Sequence, residues 1–88
     1  MAERTAQPRD LDDALYALTL PPSERRAIRE KAGLSRDLVA ANLLCSPQTV
    51  LKWEREASDG GHNPRGPLAA RYGALLRRLH KKTTSRPQ

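Results

Sequence analysis

The chain has 88 residues, enough for one small domain whose core sits near the lower limit for independent folding. With no Phe, one Trp and two Tyr, that core must come from Leu, Ala, Val and Ile, which argues against an aromatic-rich β-sandwich and for an all-α domain of small helices. Charge is uneven: residues 1–24 carry two cations and five carboxylates, residues 25–88 fourteen and five, and a basic body of that kind suits a polyanion such as nucleic acid.

Met1 to Arg9 is polar, interrupted by Pro8, and reads as a flexible N-terminus without the apolar stretch of a signal peptide. From Asp10, "DLDDALYALTL" places Leu11, Leu15 and Leu18 at i, i+4, i+7 with three aspartates at the start, where the positive end of a helix dipole favours them. Leu20-Pro21-Pro22 ends this first helix. A second helix is expected over roughly 22–32, opened by Pro22 and closed by Gly33, with Ile28 and Ala32 on one face. Ser35 then caps a third helix of about eight residues, with Val39, Ala40 and Leu43 facing inward.

Ser46-Pro47 is among the clearer start signals in the chain, because the serine oxygen can accept from an orphan amide while proline at the first helical position loses no hydrogen bond. The fourth helix is expected to run from there to about Ala57, with Val50 and Trp53 inward and Gln48, Lys52 and Arg55 sharing another face. Residues 58–63, "SDGGHN", read as a loop. Beyond Pro64 and Pro67, Leu68, Tyr72, Leu75, Leu76 and Leu79 follow a helical period and predict a fifth, longest helix with a basic outer face. The domain is thus expected over 10–82, with a disordered tail at 83–88.

The single Cys45 excludes a disulfide framework and reads as a small apolar residue at a turn. His62 and His80 stand apart from any carboxylate or thiol at ligand spacing, so neither a catalytic site, a metal site nor a cofactor is expected. No apolar run approaches the roughly 20 residues of a membrane-spanning helix, and a cytoplasmic location is expected.

The junction Leu43-Leu44-Cys45 leaves room only for a tight turn between two short helices, the proportion of a helix-turn-helix. From Gly33 to Arg55 the chain resembles the Xre/Cro/phage-repressor helix-turn-helix family. The residues carrying the resemblance are Gly33-Leu34-Ser35, Val39-Ala40, Leu43, Cys45-Ser46, Thr49-Val50 and Trp53-Glu54-Arg55. "RRAIREKAG" looks like the helix preceding the motif, and "NPRGPLAARYGALLRRL" like the closing helix of actinobacterial and actinophage members, so the likeness covers most of residues 22–80.

The resemblance implies a compact five-helix, lambda-repressor-like domain with the motif over 35–56. It implies a motif core of Val39, Ala40, Leu43, Val50 and Trp53, in which Ala40 is small because the two motif helices cross there. Arg29 and Glu54 would form a shielded ion pair. Pro47, Gln48, Leu51 and Lys52 would face base edges in the major groove, with Arg55 at the edge, and Arg36, Ser46 and Thr49 would meet phosphates. Glutamine can pair with adenine, lysine can donate to guanine, and leucine can touch a thymine methyl.

Two features depart from the family pattern. Leu44 stands where glycine is common, and a bulky residue at positive φ is strained, which predicts a rearranged turn. The loop after Arg55 is several residues longer and contains Gly60-Gly61. The implied function is sequence-specific binding of double-stranded DNA by a small phage or bacterial transcriptional regulator of the Cro or repressor kind. The alternatives are an excisionase-like architectural DNA binder, and an antitoxin-like or host-factor-binding module docking a protein through the first helix. Homodimerisation is left open, and no membrane partner is expected.

Overall fold

The computed structural model describes residues 8–84. It consists of five helices: α1 (Pro8–Thr19), α2 (Pro22–Lys31), α3 (Arg36–Leu43), α4 (Pro47–Trp53) and α5 (Gly66–Thr84), with a 3-10 turn at Ala57–Asp59. No strand occurs among the described residues, and the all-α class is as the composition requires. The longest helix, α5, is the spine: α1 lies along it, and α2 and α3 pack on it as well.

The start signals act as the sequence suggests. Ser35 accepts from the Leu38 amide at 3.1 Å and Ser46 from the Thr49 amide at 3.3 Å, with Pro47 in the first turn of α4. Gly33 closes α2 in the left-handed conformation (φ 76°), and the Leu34 amide reaches back to Arg29 O at 3.2 Å.

Four boundaries differ from expectation. Helix α1 begins at Pro8, inside the segment expected to be flexible, since proline fits a first turn; the rest of that segment, residues 1–7, lies outside the described residues. Helix α4 stops at Trp53 rather than near Ala57 because its last carbonyls take other donors: Lys52 O the His62 amide at 3.0 Å and Trp53 O the Arg25 guanidinium at 2.8 Å. Ser58 and Asp59 of the expected loop wind, together with Ala57, into the 3-10 turn. Helix α5 continues through Thr84, two residues past the expected end, and the remainder of the expected tail, 85–88, lies outside the described residues.

The expectation of a rearranged α3–α4 turn is overturned. Leu44 adopts the left-handed conformation (φ 60°, ψ 44°) itself. Its neighbour's amide, on Cys45, donates to Ala40 O at 3.0 Å, the bond that closes a helix end of this type, and only a left-handed residue brings it there within so short a connection. The side chain is 82% exposed, so its bulk meets no neighbour and the cost is the local backbone strain of about 1–2 kcal/mol.

The core holds Ala17, Ile28, Val39, Ala40, Leu43, Val50, Trp53, Tyr72, Leu75 and Leu76. All five expected motif-core residues are buried, and Trp53 packs on Tyr72 with ring centroids 4.5 Å apart at 37°. Helix α1 is inverted relative to a simple amphipathic element. It buries Ala17 and half-buries Asp13, Ala14 and Tyr16, while Leu11, Leu15 and Leu18 point outward at 56%, 52% and 40% exposure.

Small residues permit that packing. A Cβ on Gly73 of α5 would lie 1.6 Å from the Asp13 carbonyl oxygen, so the two helix backbones are in direct contact there. Arg77 then fastens the pair, donating to Asp12 O at 3.2 Å, pairing with Asp13 at 3.4 Å and covering the Tyr16 ring at 5.0 Å.

Two stability predictions follow from these backbones. Gly73→Ala is expected to destabilise by about 1–3 kcal/mol as α1 is levered from α5, although the same change in an exposed helix would stabilise. Urea unfolding monitored by circular dichroism checks it, and unchanged stability would show that the helices are further apart than described. Leu44→Gly should raise the melting temperature, since relief of the left-handed strain exceeds glycine's extra chain entropy by about 0.5–1 kcal/mol.

Candidate nucleic-acid interface

Helix α4 is seven residues long and two-sided. Val50 and Trp53 are buried in the core; Pro47, Gln48 and Lys52 are exposed and Leu51 half-buried. At 100° per residue Gln48, Leu51 and Lys52 fall on one face, opposite the buried pair. Arg55, just past the end of the helix, is exposed as well. Of the five residues expected to face bases, Gln48, Leu51 and Lys52 therefore share one solvent-facing strip, with Pro47 beside it and Arg55 past its end. Ser46 and Thr49, expected at phosphates, hydrogen-bond to each other through their hydroxyls at 3.0 Å at the N-terminal end of that strip.

The helix is held from behind by charge. Arg29 meets Glu54 in a bidentate pair, Nε to Oε2 at 2.6 Å and Nη2 to Oε1 at 3.0 Å, with only 9% and 1% of the two side chains exposed. The shielded Arg29–Glu54 pair is thus present. Hydrogen bonding to Glu54 raises the Arg29 pKa against the opposing effect of burial. Arg29 also donates to Leu34 O at 2.8 Å, tying the end of α2 to the start of the α3 segment.

Arg36 is placed differently from a residue devoted to phosphate. Its Nε donates to Glu54 Oε1 at 3.1 Å, making it the second cation on one carboxylate, with a third of the side chain exposed. Arg36 therefore links the beginning of α3 to the end of α4. Helix spacing could not foresee this, because the contact spans 18 residues and depends on how α3 and α4 cross.

Arg25 is the residue that sequence reasoning missed. It is 1% exposed and donates in three directions: Nε to Ala17 O at 3.0 Å, Nη1 to Trp53 O at 2.8 Å, and Nη2 to Asn63 Oδ1 at 3.0 Å. Burial lowers its pKa, yet an arginine stays charged at any physiological pH. The available signal was its position one turn before Arg29, which puts both guanidiniums on the same side of α2.

The segment after α4 folds back beside it. The Gly61 amide bonds Glu56 O at 2.9 Å, and a Cβ at Gly61 would sit 1.9 Å from Arg55 O, so the bend admits no side chain. Through that bend His62, Asn63 and Arg65 come to line, with Thr49, Lys52, Trp53 and Leu68, a groove of about 300 Å³ along one flank of α4. Three basic side chains thus border an open groove with an apolar floor. Neither His62 nor Arg65 figured among the expected site residues, because the loop's path was invisible in its composition.

Comparison of the chain with protein-family models, with curated proteins and with solved structures finds no match. The site must therefore be read from its own geometry. Among the described residues there is no group of three His, Cys, Asp or Glu that could hold a metal ion, and Cys45, whose thiol pKa is raised by burial, stands alone. No helix among the described residues is long and apolar enough to cross a membrane. What the site offers is an exposed strip of hydrogen-bonding side chains and a neighbouring basic groove on a rigidly held helix.

The Glu54 carboxylate is the test of that rigidity. Glu54→Ala leaves Arg29 buried without its partner and should cost roughly 3–5 kcal/mol, against near zero for an exposed pair. Chemical denaturation checks it, and a melting temperature within a degree of the parent would mean that the pair is solvated.

Proposed function

We propose that this chain binds double-stranded DNA sequence-specifically, with α3 and α4 acting as a helix-turn-helix and α4 entering the major groove. The observation that carries the reading is the division of α4: Val50 and Trp53 in the core, and Gln48, Leu51 and Lys52 outward beside a groove bordered by Lys52, His62 and Arg65. Gln48 has the donor and acceptor needed for adenine, Lys52 a donor for guanine O6 and N7, and Leu51 an apolar surface for a thymine methyl. The basic groove suits the adjacent phosphates, as do the Ser46 and Thr49 hydroxyls. A small transcriptional regulator working in the cytosol of a bacterium, in the manner of Cro or a phage repressor, fits this equipment.

A protein-interaction module is the second reading, and the outward leucines of α1 are the observation that favours it. The two readings separate in a competition assay at fixed salt, after a preferred duplex has been selected from a random pool. Gln48→Ala and Lys52→Ala should each cost about 1–3 kcal/mol on the preferred site and much less on scrambled DNA, because base contacts exist only in the correct register. Arg36→Ala should lower the melting temperature, since it gives up the Glu54 contact, and, as the exposed third of its side chain can still reach a phosphate, weaken binding to both duplexes alike. Absence of any preferred duplex, or equal losses on both for the α4 variants, would remove α4 from base readout.

A further inference from the structure

A buried arginine ordinarily meets a carboxylate, as Arg29 meets Glu54. Arg25 is more deeply buried, yet its three hydrogen bonds go to neutral oxygens: Ala17 O, Trp53 O and Asn63 Oδ1. Taking a guanidinium out of water without a carboxylate bonded to it is costly, and what offsets the cost is the partial negative charge of two helix ends together with one amide oxygen. Those acceptors come from three parts of the chain: the last turn of α1, the last residue of α4 and the segment between α4 and α5. One side chain of α2 therefore keeps three separate pieces in register.

The segment between α4 and α5 has two ties of its own. The Gly61 amide closes its bend on Glu56 O, and the His62 amide seats it on Lys52 O. Asn63 comes next, and its bond to Arg25 carries the hold across to α2. His62 stands on one side of it, and buried Pro64 with exposed Arg65 on the other, so what fixes Asn63 also fixes two of the basic side chains that border the groove.

We propose that Arg25 is a positioning residue: it takes its own place from α1 and holds Asn63, and so sets where His62 and Arg65 stand along the candidate interface. Helix α1 enters through Ala17 O. It is seated on α5 by the Gly73 contact and by Arg77, and when it lifts, Arg25 loses one acceptor and part of what shields it from water. Water then competes for the remaining donors, which weakens the bonds to Trp53 O and Asn63 in turn. The seat of α1 thereby decides how firmly the basic border of the groove is ordered. The consequence for duplex affinity rests on the DNA reading above; the positioning itself does not.

Amide hydrogen exchange followed by NMR on the full chain without DNA tests it. Asn63→Ala, a change at an exposed residue, should speed exchange of the His62 amide roughly tenfold and leave the Val39 amide of α3 unmoved, a local loss that a general fall in stability does not produce. Asn63→Asp keeps the acceptor and should retain the protection. Arg77→Ala and, independently, Gly73→Ala loosen α1 and should also speed the His62 amide, and either added to Asn63→Ala should speed it no further, because the link is already cut. The proposal is overturned if Asn63→Ala leaves the His62 amide unmoved, if Asn63→Asp exchanges as fast as Asn63→Ala, or if neither of the two variants that loosen α1 reaches His62. These outcomes stand apart from the duplex assay, in which Asn63→Ala should weaken preferred and scrambled DNA by the same factor, and a loss confined to the preferred duplex would overturn the proposed role at the groove border.

Discussion

Two arginines one turn apart on α2 hold the ends of the other helices. Arg25 places a single buried cation against the last turn of α1, through Ala17 O, and the last residue of α4, through Trp53 O. A helix C-terminus carries partial negative charge on carbonyls that have no partner in the helix, so one guanidinium satisfies two such ends at once. Arg29, four residues later, takes the carboxylate that follows α4 and the carbonyl that precedes α3. Neither could be replaced by lysine without loss, because each uses nitrogens pointing in different directions from a planar fork. The orientation of α4 is thus set less by its seven residues, too few to be stable alone, than by what grips its C-terminal end.

The second constraint is the close approach of α1 and α5. Gly73 removes the side chain that would separate them, and the Asp13 backbone occupies the space. Because α1 then supplies Ala17 O to Arg25, the position of an accessory helix is coupled to the end of α4 through one side chain. Disturbance of the α1–α5 contact should therefore be felt at α4 without any direct contact between α1 and the exposed strip. Tyr72, on the same helix as Gly73, packs on Trp53 with its hydroxyl buried and without a hydrogen-bond partner among the described residues. Burial raises the Tyr72 pKa, and the aromatic contact, not a hydrogen bond, is what the residue contributes.

Elements and caps could be read along the chain because they are local: Ser35, Ser46, Pro47 and Gly33 each act on amides and carbonyls within a few residues. The Arg29–Glu54 pair, 25 residues apart, was accessible only through resemblance to a family, since no periodicity links the two positions. What escaped was decided by packing. The end of α4 lies at Trp53 because the Lys52 and Trp53 carbonyls accept from the His62 amide and Arg25 in place of amides further along a helix. Leu44 takes the left-handed conformation that its bulk argues against because the Cys45 amide, donating to Ala40 O, compensates the strain, and that bond spans the turn and is invisible in residue type. The leucines of α1 had the right period for a helix, but period alone does not say which side is covered.

Two groups among the described cations have different duties. Arg25 and Arg29 are buried, Arg36 shares Glu54, Arg26 pairs with Glu30, Arg71 donates to Leu43 O, and Arg77 fastens α1. These guanidiniums are bonded within the fold, and two of them, Arg25 and Arg29, are withdrawn from the surface. Lys52, Arg55 and Arg65 are exposed on α4 or in the segment that folds back beside it, with His62 next to them. A lysine on the outward strip is a mobile point donor that loses entropy only when a ligand engages it, whereas the arginines behind it are already ordered. In that arrangement the fold bears the cost of positioning the helix before any ligand arrives, and the exposed side chains alone remain to be ordered on binding.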